Sequence, residues 1–142
     1  MPVMPTQEQI AELAALTGTD ADAPLVMLNL NTYRPAAAYD GPPPGGGSPD
    51  VTGREAYERY AEVAQRVLAR EGGRIVWHAA ALGTVIGEPD EGCDEVIAVY
   101  YPSVTAFLAL AMDPELLEAA THRTAGLERA RLIRCDAEDV SG

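Results

Sequence analysis

The sequence contains no lysine; its ten basic side chains are all arginines. A Schiff-base lysine, a pyridoxal phosphate anchor and a Walker A lysine are therefore excluded. Serine is nearly as scarce. Ser48, Ser103 and Ser141 are the full set, and none lies in a G-x-S-x-G elbow. Two cysteines, Cys93 and Cys135, form neither a CxxC nor a ligand-spaced pattern, so a reduced, cytoplasmic protein is expected. Positive charge is short as a class: 22 acids against 10 bases leave a net charge of -12. Nucleic acid and anionic membrane surfaces need a basic face, and neither is expected as a partner. No apolar run approaches the roughly 18 residues of a spanning helix. The opening MPVMPTQEQI lacks the basic and apolar stretches of a signal peptide.

What remains is 142 residues, 47% hydrophobic, which predicts one domain over 1–142 with a real core. Thr6 and Gln9 have capping-box spacing ahead of a short helix that Gly18 ends. LVMLNLNTY, residues 25–33, reads as a strand with Val26, Leu28 and Leu30 on one face. The other face becomes polar towards Asn29, Asn31 and Tyr33. Residues 34–52 are rich in Pro and Gly without periodicity, and predict a flexible loop that is either a lid or a passive insert. Residues 53–70 carry Tyr57, Tyr60, Ala61, Ala64, Val67 and Leu68 at helical spacing, with Glu55–Arg59 and Glu62–Arg66 pairs on the opposite side.

A second strand is predicted over 74–86, bent at Gly83, with Ile75, Trp77, Ala79 and Ala81 on one face and Val76, His78, Ala80 and Leu82 on the other. EVIAVYY, 95–101, is a third. Ser103 and Asp113-Pro114 each open a helix, and Gly126 closes the second. Residues 127–135 form a last strand, followed by a frayed tail at 136–142. The order is the α+β, ferredoxin-like βαββαβ pattern with an extra N-terminal helix and a four-stranded antiparallel sheet. The middle strands are apolar on both faces, yet the helices cover one. A homodimer with sheets packed face to face, a dimeric α/β barrel, is the expected solution.

The blocks PLVMLNL, GREAYERYAEVA, GGRIVWHAAALGTVIG, DEVIAVYYPSVTAFLAL, DPELLEAATHRTAGL and ARLI, in that order over about 5–135, resemble the domain-of-unknown-function family 1330 of the dimeric α/β-barrel superfamily. The family pattern carries a Trp just before the DEV block, where this chain has Cys93. The resemblance implies the same protomer and a dimer. It supplies no reaction, because the superfamily spans cofactor-free monooxygenases, muconolactone-type isomerases and haem enzymes.

His78 and His122 are the only histidines, and each is a candidate general acid/base. The plain alternatives are a core histidine at 78 and a helix-end cap at 122. Arg123 lies on the apolar side of its helix and needs an internal carboxylate or a substrate anion. Tyr57 and Tyr60, with Asn29, Trp77 and Tyr100 from the sheet, are candidate substrate contacts; the alternative is core packing. No ligand-spaced motif predicts a metal, and no cofactor is expected. The expected function is a cofactor-independent acid/base enzyme (isomerase, cyclase or lyase) for a small organic acid or polyketide-like compound. Its pocket would lie between sheet and helices, under residues 34–52. A cofactor-free monooxygenase of an electron-rich aromatic and a non-catalytic small-molecule-binding or structural dimer are the alternatives.

Overall fold

Capping chemistry sets the helix starts. The computed structural model describes residues 3–137 and places Thr6 at the head of α1 (Gln7–Ala14). The Thr6 hydroxyl accepts from Gln9 N, and the Gln9 side chain accepts from the Thr6 N–H. Thr52 and Glu55 repeat this box at α2 (Gly53–Arg70). Ser103 caps α3 (Val104–Ala111), and Asp113 caps α4 (Pro114–Gly126). Each cap satisfies N–H groups that the first helical turn leaves without partners.

Four strands, β1 (Leu25–Tyr33), β2 (Arg74–Ala80), β3 (Glu95–Tyr101) and β4 (Leu127–Asp136), form one sheet in the order β2-β3-β1-β4. Every neighbouring pair is antiparallel. With α2 crossing from β1 to β2, and α3 and α4 from β3 to β4, this is the ferredoxin-like α+β arrangement. Leu25, Met27, Val99 and Tyr101 on the inner sheet face pack against Val67, Leu68, Val104, Phe107, Leu110 and Leu116 of the helices. No helix among the described residues is long and apolar enough to cross a membrane.

Two boundaries and one strand phase differ from expectation. β2 ends at Ala80, not at residue 86. Ala81 N donates to Asp94 O, and the chain then leaves the sheet, with Leu82, Val85 and Ile86 at 99%, 98% and 95% exposure. Their apolar character imitates a strand, but β3 begins at Glu95 and offers them no ladder. A bulge between Ile75 and Trp77 also shifts the phase of β2. Ile75 pairs with Val99 and His78 with Ile97, so both lie on the inner face, while Trp77 pairs with Ala98 on the outer face. Simple alternation had set His78 opposite Ile75; the extra residue reverses this. Finally, β4 includes Asp136, and Ala137 is 1% exposed. The rest of the expected tail, 138–142, lies outside the described residues.

The outer sheet face carries a second apolar cluster: Val26, Ala98 and Ala137, with Leu28, Val76, Tyr100 and Cys135 packed around it. It contains no helical residue.

Candidate active site

A cavity of about 280 Å³ lies between the inner sheet face and α2. That is just below the roughly 300–1,000 Å³ usual for small-molecule sites. One wall is aromatic, from Tyr57 and Tyr60 of α2 and Tyr101 of β3. Ile75, Ile97 and Val99 make the apolar floor. The polar end holds Asn29, Tyr33, Arg54, His78 and Glu95.

Glu95 organises that end. It is the first residue of β3, and its side chain is 12% exposed. The Tyr33 hydroxyl donates to Oε1 at 2.5 Å, and Arg54 Nη1 lies 3.5 Å from the same oxygen. Oε2 lies 3.3 Å from His78 Nδ1. With the ring proton on Nδ1, donated to the carboxylate, Nε2 keeps its lone pair. The guanidinium of Arg54 sits 4.8 Å above the Tyr33 ring. The Tyr33 and Tyr57 rings are 5.4 Å apart.

The phenols are held protonated. Burial raises Tyr33 well above the usual tyrosine value, and the bond to Glu95 adds to it. Burial likewise raises Tyr57, Tyr60 and Tyr101. At neutral pH these groups are hydrogen-bond donors, and His78 supplies the imidazole of the cavity lining. Asn31 is 1% exposed and lies against the Tyr33 and Tyr57 hydroxyls, yet its Nδ2 completes no hydrogen bond. Asn29 Nδ2 contacts the Ile97 and Met27 carbonyls at 3.3 and 3.4 Å, so its Oδ1 retains free acceptor capacity.

Of the residues singled out from the sequence, Asn29, Tyr57, Tyr60 and His78 line this cavity; Trp77, Tyr100, His122 and Arg123 do not. Trp77 is on the outer face, 50% exposed. Tyr100 is also on that face, under the Arg74 guanidinium. Arg123 donates to the Val3 carbonyl and contacts Met4 Sδ, so it meets neither of its expected anionic partners. Tyr33 and Arg54 are residues that sequence reasoning passed over as site groups. The polar drift at the end of β1 was the available signal for Tyr33.

The 34–52 segment does not roof this cavity, and it is hydrogen-bonded to α2 and α4. None of its residues lines the cavity. Ala38 N donates to Ala125 O, Ala37 N to Val51 O, and Arg59 to Ser48 O. His122, 6% exposed, is the hub: Nε2 donates to the Pro44 carbonyl at 3.0 Å and Nδ1 accepts from the Tyr39 hydroxyl at 2.6 Å. Arg59 in turn donates to the Tyr39 oxygen. The Pro44 carbonyl keeps a proton on Nε2, so in the neutral ring Nδ1 is the acceptor for the Tyr39 hydroxyl. Burial holds the pKa of His122 below the usual histidine value; the Pro44 carbonyl opposes this and the Arg59 charge adds to it. A folded value below the unfolded one means that His122 supports the fold fully above about pH 6.5. That support fades as the pH falls towards the depressed value. Hydrogen exchange, corrected for intrinsic rates, is expected to show the Ala37 and Ala38 amides losing protection between about pH 8 and about pH 5.5. In His122→Asn the difference should vanish; equal protection in the native protein at both pH values would remove the role given to His122.

Among the described residues, no group of three or more His, Cys, Asp or Glu side chains is placed to hold a metal ion. The model of a family described as a domain of unknown function, DUF1330, matches residues 47–134. A protein of unknown function from Rhodopseudomonas palustris is 39% identical, with 94% of this chain and 95% of that one covered and a TM-score of 0.81. The same protein in methylated form gives 38%, 99%, 98% and 0.83. A cofactor-independent oxygenase from Streptomyces nogalater is a distant structural neighbour, at 20% identity, 78% and 91% coverage and a TM-score of 0.45, too remote to bear on chemistry. No curated protein matches the chain.

Proposed function

Because the chain belongs to the DUF1330 family, whose description assigns no reaction, we propose from the cavity itself that it is a cofactor-independent acid/base enzyme. The observation that carries this is Glu95, buried in the wall, with its two oxygens facing Tyr33 and His78. A carboxylate behind an imidazole fixes its tautomer and stabilises the cation formed when it takes a proton. His78 Nε2 removes a proton from carbon next to a carbonyl. The C–H electrons form the enolate, whose oxygen accepts hydrogen bonds from a protonated phenol, Tyr57 or Tyr60. Where a C=C lies β,γ to that carbonyl the enolate is a conjugated dienolate, and return of the proton to its γ-carbon completes an isomerisation, with no net electron transfer.

The cavity also narrows the substrate. Its one cation, Arg54, already faces Glu95, and Glu58 adds a second acid. A neutral, enolisable, polyketide-like compound fits these charges better than an organic acid. An open cavity that touches Tyr57 and His78 favours catalysis over a purely structural role. The test is solvent deuterium uptake by a panel of neutral enolisable ketones, read by mass spectrometry. At least one should exchange faster with the native protein than with His78→Gln, and a panel in which none does would end the reading. Oxygen uptake with a polyphenol, also lost in His78→Gln, would move the assignment to oxygenation, since the tyrosine wall suits an aromatic face.

The working form is proposed to be a homodimer through the outer sheet face. Trp77 and Ile133 stand 50% and 45% exposed on the same face as the outer cluster. A contiguous apolar face of this kind marks an interface. Sedimentation velocity should give a dimer for the native chain and a folded monomer for Trp77→Glu; a native monomer at micromolar concentration overturns it.

A further inference from the structure

A larger hollow lies elsewhere, between α1 and β4, with a volume of about 530 Å³. It shares no lining residue with the catalytic cavity. Ile10 and Leu13 of α1, Phe107 of α3, Met27 of β1 and Leu132 of β4 make it apolar. Its rim is cationic in a chain of net charge -12: among the described residues Arg123, Arg131 and Arg134, three of the ten arginines, line it, against one acid, Glu12. Arg123 and Arg131 donate to the main-chain carbonyls of Val3 and Glu91, and neither forms an ion pair with a carboxylate among the described residues. Arg134 makes no hydrogen bond or ion pair among the described residues. It pairs in register with Met27, on the helix-facing side of the sheet.

An apolar trough ending at an unengaged guanidinium has a defined complement. We propose that this groove binds an amphiphile with a medium-length hydrocarbon chain and a single carboxylate head. The chain lies on Leu13, Phe107 and Leu132, and the head takes the fork of Arg134. A planar carboxylate matches the guanidinium fork in two parallel bonds, and a nearly uncompensated positive rim favours the anion over a neutral head. The volume is within the usual range for small-molecule sites.

Sodium decanoate, below its aggregation concentration, is the probe, titrated calorimetrically into the full chain. Saturable binding is expected, weakened about tenfold or more by Arg134→Gln and abolished by Leu132→Asp. Both side chains are exposed, so the fold should survive either change. His78→Gln should bind as the native protein does, which separates this groove from the catalytic reading. Absence of saturable binding, equal affinity in Arg134→Gln, loss in His78→Gln, or equal affinity for decan-1-ol would each overturn the proposal.

Discussion

Gly126→Ala is expected to destabilise the protein by about 3 kcal/mol and to lower its melting temperature by on the order of 10 °C. A methyl group on Gly126 would stand 2.4 Å from the Gly53 carbonyl oxygen and 3.0 Å from the Tyr57 nitrogen. Both are main-chain atoms of α2, and no rotamer change can move them aside. Gly53 faces the same constraint from the other side, its virtual methyl 2.6 Å from Gly126 O and 2.2 Å from Arg34 O. The close approach is locked by main-chain bonds: Arg34 N donates to Gly126 O at 2.8 Å, and Gly53 N to Arg34 O at 3.0 Å. Relief requires the start of α2 to move away from the end of α4. Arg54 and Tyr57 sit on that first turn and a half, so the cavity should open and lose activity along with stability. Thermal unfolding followed by circular dichroism is the measurement. A melting temperature within about 2 °C of the native value would show that the two helices separate without cost.

Local chemistry made most of this fold legible. β1, α2 and β3 fall where alternation, helical spacing and capping residues put them, because each signal is carried within a few residues. The bulge at Val76 was not legible, since nothing local distinguishes an inserted strand residue from an alternating one. Its effect is large: it turns His78 inward, to Glu95. The overrun of β2 has a related cause. Leu82, Val85 and Ile86 satisfy a strand pattern but have no neighbouring strand, and strand propensity measures packing more than backbone preference. Residues 34–52 have no periodicity of their own; what orders them is His122 and Arg59, from two other elements. The enclosure of Glu95 was hidden for the same reason. A glutamate at the head of a strand normally faces water, and only the sheet register, with Asn31 opposite and Ala80 beside it, shows that this one is enclosed.

Glu95→Gln is expected to lower turnover by roughly 10²–10³-fold, with KM changed little. The amide keeps the shape of the carboxylate and can still accept from the Tyr33 hydroxyl. It carries no charge, however, so the imidazolium formed when His78 takes a proton has lost its counter-ion. The amide can also turn its NH₂ towards Nδ1, which selects the tautomer with the proton on Nε2 and removes the base. Arg54, 3.5 Å from Oε1 in the native protein, would then face a neutral group. Removing one member of a half-buried ion pair costs stability, but Arg54 is 45% exposed and can rehydrate, which holds the loss to about 1 kcal/mol. Tyr33→Phe provides the contrast. It keeps the ring beneath Arg54 and deletes only the bond to Oε1, so Glu95 still faces His78 and the rate should fall by no more than about tenfold. Deuterium exchange rates on the same substrate, with circular dichroism to verify folding, distinguish the two. If Glu95→Gln exchanges as fast as the native protein, the carboxylate is a structural anchor for Tyr33 and Arg54 and His78 works unassisted. If Tyr33→Phe is as damaged as Glu95→Gln, the hydroxyl belongs to the chemistry and the dyad is a triad.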